Sequence, residues 1–268
     1  MEDTMLRRDC LWIAGTVWLT GGCASVRPDA AVVEALAPQG KLRTAFLAGP
    51  IYATADPSTG RYRGVAVDLG EALARQLGVP FEPMPQAGVP AILAGAQAGS
   101  FDLVLMGISA ERAATIEFSP PYLEVEQGVL LRPGGQLTRI DEMDRTGQRV
   151  GVLERSGADA FLSRQPGSLQ IVRAANLDSL FTELAAARID MVAATKSRLF
   201  AEAAKLPGSR VLEGRLLVEP LGMGVARSRP AAAASYVARF VEEAKASGMV
   251  AAAIARANLL GVAVPAMR

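Results

Sequence analysis

The feature that most constrains the fold is an alternation of strand-like and helix-like stretches that runs, breaks at Pro133-Gly134-Gly135, and then starts again. Before the break, Lys41 to Leu47 is a strand candidate. A helical stretch follows with Leu69, Leu73 and Leu77 on one face, Asp68 as its candidate N-cap, and Gly78 with Pro80 as its stop. A strand from Phe81 to Met84, a helix around Ile92, Leu93 and Ala96, and a strand from Phe101 to Met106 complete the first series. Gly128 to Leu131 is a further strand leading into the break. After it, strands at Arg149–Leu153, Leu169–Val172 and Asp190–Ala193 alternate with helices at about Ser156–Ser163 and Leu177–Ala187. A helix through Phe200 to Lys205, a strand at Leu221–Ala226 and closing helices at Ala231–Ala246 and Met249–Asn258 end the chain. A β-α-β-α-β order predicts a parallel sheet covered by helices. Two such series within 268 residues predict two α/β lobes, each with its own sheet.

The stretch Phe101 to Tyr122 carries the chemistry. An apolar strand ends at Gly107, and Ser109-Ala110-Glu111-Arg112 then reads as a helix start with a hydroxyl cap and an acid in the first turn. Unpaired backbone N–H groups converge at such a corner and suit an anion. Arg112 adds a guanidinium fork matched to a carboxylate. Spacing alone equally allows a surface Arg112 paired with Glu111 or Glu117.

Composition removes several classes of function. Lys plus Arg number 28 and Asp plus Glu 27, a net charge of +1 that gives no footprint for nucleic acid. The absence of histidine excludes Ser-His and Cys-His nucleophile pairs and the commonest metal ligand. No metal and no cofactor are expected. Both cysteines, Cys10 and Cys23, fall in the first 23 residues, which read as an export leader: Arg7-Arg8, an apolar run from Leu11 to Leu19, then small residues. That run is shorter than the roughly 20 residues needed to span a bilayer. Leu19-Thr20-Gly21-Gly22-Cys23 resembles a bacterial lipobox, with Cys23 as the lipidated residue. Gly22-Cys23-Ala24 also fits an ordinary signal-peptidase site, and Arg7-Arg8 weakly resembles a twin-arginine signal. Residues 24–40 read as a tether, and the folded body is expected outside the cytoplasm.

Four stretches together resemble the family 3 extracellular solute-binding proteins, the amino-acid-binding components of bacterial ABC importers. They are Gly64-Val65-Ala66-Val67-Asp68-Leu69; Phe101 to Tyr122, ending in Phe118-Ser119-Pro120-Pro121-Tyr122; Val150-Gly151-Val152 with Ser156-Gly157; and Ala187-Arg188-Ile189-Asp190. The resemblance covers Lys41 to about Asn258. It implies the type II periplasmic-binding fold, two lobes joined by two crossover strands near Glu124–Glu126 and Leu217–Leu221 and closing over a ligand. Lobe 1 is expected at 41–124 and 222–268, and lobe 2 at 125–221. The implied partners are a small-molecule ligand and an ABC permease in the inner membrane, with a monomeric, lipid-anchored or soluble periplasmic protein.

By the same resemblance, Arg112, Ser109 and Gly107 hold a ligand carboxylate, and Ser156-Gly157 is a second anion-facing corner. Tyr52 lies where the family places an aromatic lid; otherwise it is a rim residue. The turn from Gly107 to Arg112 is two residues shorter than the usual family form, which shifts the position from which Arg112 reaches the ligand, and three further departures bear on the ligand. The family's ammonium-binding Asp is Thr195 here, which also reads as a helix cap; Arg155 stands where Gly is usual; and Leu47 replaces a polar or acidic residue. From these the cleft is expected to be less acidic than in an amino-acid binder, and Glu154 is the only nearby acid that could serve a dehydratase. A small carboxylate-bearing ligand, amino-acid-like or an organic anion, gripped by Arg112 and Arg155 follows, Arg155 being otherwise a loop residue paired with Glu154 or Asp159. A dehydratase of the cyclohexadienyl type on the same scaffold, and a ligand-presenting sensor lipoprotein, are the alternatives.

Overall fold

A computed structural model describes residues 28–145, 147–165 and 167–267. In chain order the elements are α1 (Ala30–Leu36), β1 (Leu42–Leu47), β2 (Thr54–Ala55), β3 (Tyr62–Arg63), α2 (Val65–Leu77), β4 (Phe81–Gln86), α3 (Val89–Gln97), β5 (Leu103–Gly107), α4 (Ala110–Ala113), β6 (Ile116–Phe118) and β7 (Leu123–Leu131). There follow β8 (Arg149–Leu153), α5 (Gly157–Leu162), β9 (Gln170–Ala174), α6 (Leu177–Ala185), β10 (Met191–Thr195), α7 (Lys196–Ala203), β11 (Arg210–Val211), β12 (Leu217–Ala226), α8 (Ala231–Ala246), α9 (Met249–Ala257) and β13 (Val262–Ala263).

The main sheet runs β4-β1-β5-β12-β7-β10-β8-β9. β1 lies parallel to β4 and β5, and β8 lies parallel to β9 and β10, as the βα alternation requires. Between these parallel halves, β7 and β12 run antiparallel, Leu123–Gln127 facing Leu217–Leu221. The far half of each strand belongs to a different lobe: Gln127–Leu131 pairs with β10, and Leu221–Gly224 pairs with β5. Two α/β lobes joined by two crossover strands result, but the expectation of a separate sheet for each is corrected: pairing of the crossovers joins both into one continuous sheet. Pro83 and Pro85 are tolerated because β4 is an edge strand, and at alternate positions both missing N–H groups fall on its open side.

Strand periodicity sorts the cores. Val129 and Leu131 point into one cluster of the second lobe with Val150 and Met191, while Leu130 points into the other with Leu180 and Leu184. In the first lobe, Leu69, Leu73 and Leu77 pack with Tyr122, Leu221 and Phe240, so the closing helices complete the core begun near Leu42. A cluster with Ile92, Phe101 and Met106 also takes in Leu153 of the second lobe, so the two lobes pack against each other there.

Two local expectations are corrected. Helix α2 begins a turn earlier than Asp68 suggested, with Gly64 at its cap position, because Val65, Ala66 and Val67 are all buried. Asp68 lies in its first turn, where a negative charge is favourable, and bonds Arg256 at 2.7 Å. Strand β7 starts at Leu123, five residues before the expected Gly128. Within the stretch read as a tether, α1 buries Leu36 in the first-lobe core. The leader, residues 1–23, and Cys23 lie outside the described residues.

Candidate functional site in the cleft between the lobes

The corner at the end of β5 forms as the residue types require. Ser109 caps the single turn α4, its Oγ accepting from the Arg112 N–H at 3.3 Å. That turn directs Arg112 inward, where it is only 5% exposed. Its Nη1 donates to the Gly107 carbonyl at 2.7 Å and to Glu219 Oε1 at 3.2 Å, and its Nη2 donates to the Arg155 carbonyl at 2.7 Å. The surface alternative for Arg112 is ruled out, since Glu111 pairs with Arg155 and Glu117 with Arg227. A first-lobe guanidinium is therefore bonded to second-lobe backbone.

Glu219, on the crossover stretch of β12, is the cavity-lining residue that sequence reasoning missed. It is buried, and its Oε2 accepts from Gln127 Nε2 at 2.5 Å while Oε1 takes the Arg112 bond. A Cβ on Gly107 would stand 1.9 Å from Glu219 Oε1, and one on Gly157 would stand 2.9 Å from its carboxyl carbon. Both expected anion-facing corners thus converge on one carboxylate, and it belongs to the chain itself. A signal was present: in Leu217-Val218-Glu219-Pro220-Leu221, Glu219 shares the inward parity of Leu221 while Val218 is exposed. A carboxylate at an inward strand position rarely stands without a partner.

These groups border a cavity of about 80 Å³, room for several water molecules at roughly 10–15 Å³ each. Its walls are largely apolar, with Leu47, Ile51, Val89, Met106, Leu153 and Leu177, and its polar groups include Tyr52, Arg112, Gln127, Ser156, Thr195, Arg198 and Glu219. Burial, and then the nearby Glu219 charge, push the Tyr52 hydroxyl pKa far up, against the opposing effect of Arg112. Tyr52 is therefore a neutral wall group.

Of the residues expected at the site, Tyr52, Gly107, Arg112, Ser156 and Thr195 line the cavity. Ser109 stands behind Arg112 as its cap, and Gly157 leaves room for the Glu219 carboxylate. Thr195 occupies the N-cap position of α7, but its hydroxyl makes no capping bond. Arg155 is outside the lining. Its side chain reaches Glu111 at the surface rather than Glu154 or Asp159, and its backbone sits at φ 57°, which explains why Gly is usual there. Its N–H donates to Asp159 Oδ2 at 2.9 Å, and its carbonyl serves Arg112.

The expectation that Glu154 is the only acid near the cleft is corrected, since Glu219 lines it and Glu154 does not. Arg112 is matched by Glu219, and the second lining cation, Arg198, bonds Asp178 and Glu202 while lying 5.2 Å over the Phe181 ring. Asp190 is structural, bonding Arg149 and Arg132 at 3.2 Å each. Among the described residues, no helix is long and apolar enough to cross a membrane.

The chain is 23% identical over 185 residues to a glutamine-binding protein of Geobacillus stearothermophilus, covering 66% of this chain and 69% of that one. It is 28% identical over 165 residues to membrane-bound lytic murein transglycosylase F of Idiomarina loihiensis, covering 61% of this chain. The chain spans only 35% of the length of that relative. A mutant ArgBP from T. maritima superimposes with a TM-score of 0.74 at 23% identity, covering 84% of this chain and 98% of that one, which shows the type II periplasmic-binding fold. Residues 50–256, from the Tyr52 wall through both crossovers to the closing helices, match one family along their whole length, and the chain belongs to the bacterial extracellular solute-binding proteins, family 3.

Proposed function

We propose that this protein is the solute-binding component of an ABC importer, capturing a small carboxylate-bearing, amino-acid-like solute by closure of two lobes. The observation that carries the reading is Arg112: it borders the cavity from the first lobe while bonding the Arg155 carbonyl of the second. A solute in contact with both lobes favours the closed form by its differential affinity, and a permease in the inner membrane reads that closure. Lobe 1 is assigned to 41–124 and 222–268 and lobe 2 to 125–221, with rotation about Leu123–Gln127 and Leu217–Leu221, where the two crossovers pair. The protein works as a monomer outside the cytoplasm, tethered through a lipid on Cys23.

The reading is of binding without catalysis. A dehydratase needs a poised general acid in the cleft. The acid present, Glu219, accepts hydrogen bonds at both oxygens, an arrangement that suits an acceptor and not a proton donor. The test is a thermal-shift screen against amino acids, organic acids and aromatic acids. At a thousandfold excess over Kd, a solute adds about 4 kcal/mol of stability. At roughly 2–4 °C per kcal/mol, the melting point rises by about 8–16 °C. If no small solute raises it, the binding function is refuted.

A further inference from the structure

The lining of the cleft contains an ion pair that is complete without any solute. Three of the five N–H donors of Arg112 already serve the chain, at Gly107, Arg155 and Glu219. Glu219 is held from its other side by Gln127, and both residues border the cavity. The position the family resemblance assigns to an ammonium acceptor is Thr195, which carries no charge. Thr195 pairs in register with Gln127 across β10 and β7, and Gln127 with Leu217 across β7 and β12. Glu219, two residues beyond Leu217, is on the same face of β12. The Gln127 amide closes the remaining gap to its carboxylate. A carboxylate therefore reaches the neighbourhood of Thr195 from the adjoining crossover strand.

We infer that Glu219 is the acceptor for the cationic group of the solute. A solute carrying a carboxylate and an ammonium on adjacent positions inserts between Arg112 and Glu219, replacing one internal ion pair by two. This rests on the solute-binding reading above. Charge balance selects the class of solute. The Arg112–Glu219 corner is neutral when empty and stays neutral with a zwitterion. A bare organic anion leaves one uncompensated buried negative charge, and a bare amine leaves one positive charge, each costly in a closed cleft. Of the two solutes expected, the amino-acid-like one is thereby favoured over the organic anion. Gly107 and Gly157 contribute by their bareness, since a Cβ at either would crowd the Glu219 carboxylate.

The test measures binding of matched probes to the full chain by calorimetry: leucine against isocaproate, suited to the apolar walls, and glutamine against glutaramate. Each pair differs by the ammonium group alone. The wild type is expected to bind at least one amino acid about thirtyfold or more tighter than its deaminated partner. Glu219→Gln is expected to lose or reverse that preference, weakening the amino acid about thirtyfold while the deaminated acid binds as well as before or tighter, because Arg112 then faces it without a second carboxylate. Glu219→Asp keeps the charge one methylene short and is expected to retain part of the preference; it decides the question if Glu219→Gln fails to fold. If Glu219→Gln or Glu219→Asp tightens both members of a pair alike, Glu219 only plugs Arg112 and the inference is overturned. A wild type that favours the deaminated acid overturns it too, with the solute-binding function left standing. A wild type that binds neither member of either pair, and no solute in the thermal-shift screen, overturns the solute-binding reading itself, and the inference falls with it.

Discussion

From the sequence, Arg112→Ala is expected to leave folding intact and to remove only the response to solute. The buried pair changes that expectation. The substitution deletes three hydrogen bonds and leaves the Glu219 carboxylate, whose side chain is 11% exposed, with Gln127 as its remaining bonded partner. Removing one member of a buried ion pair costs about 3–5 kcal/mol, mainly as the penalty on the charge left behind. At roughly 2–4 °C per kcal/mol, the ligand-free protein should melt about 6–20 °C lower. The lower end is expected, because the adjoining cavity lets water reach Glu219. Arg112→Met combined with Glu219→Gln removes both charges and should recover most of the loss, since replacing a buried pair outright is often neutral. Urea unfolding of the four proteins in this cycle, without ligand, measures the coupling, expected at about 2 kcal/mol or more. Arg112→Met unfolding within about 0.5 kcal/mol of the wild type, with an additive double variant, would refute the argument.

Three further outcomes follow from other contacts. Burial acts to raise the Asp190 pKa, but bonds from Arg149 and Arg132 outweigh it and hold the carboxyl below its ordinary value of 3.8. Its stabilising contribution is therefore present above about pH 3.8 and lost as pH falls through the lower folded value. Asp190→Asn should cost roughly 1 kcal/mol at pH 7, with the gap to wild type closing in urea melts taken at more acidic pH. Gly107→Ala drives a methyl into Glu219 Oε1 and to 2.5 Å from Arg112 Nη1, so it should destabilise by about 1–3 kcal/mol and abolish the solute-induced thermal shift. Arg155→Gly gives up a solvent-exposed pair with Glu111 and relieves a left-handed backbone, so its stability should stay within about 1 kcal/mol of wild type and solute affinity should change little.

The two-lobed architecture was legible because its strands are short apolar runs set between Gly/Pro stops, as at Arg149–Leu153 and Leu103–Gly107. The Arg112 corner was legible too, since a strand end, a Ser cap and an Arg lie within a few residues. Elsewhere the informative contacts are remote. Glu219 is 107 residues from Arg112 and 92 from Gln127, so neither the ion pair nor its amide brace has a local signature. The crossover near Glu124–Glu126 came from the family resemblance and not from residue pattern, because Leu123-Glu124-Val125-Glu126-Gln127 mixes acids into the strand, Glu126 bonding Lys196 and Arg215. The start of α2 was misplaced by a preference for an acidic cap, when burial of Val65 and Ala66 decides it. Arg155 was read by its charge, but what the fold uses is its backbone.

The central claim is that a small solute draws the two lobes together around Arg112. The two cysteines of the chain lie at positions 10 and 23, so cysteines introduced at exposed positions on helices of opposite lobes, Arg75→Cys in α2 and Ala185→Cys in α6, can carry a donor and acceptor pair on protein lacking the leader. Energy transfer between them should change saturably with any solute that raises the melting point, and should not respond to that solute when Arg112 is replaced by Met. A solute that binds tightly while the distance between the lobes stays constant, or one that still closes the Arg112→Met protein, would contradict the account.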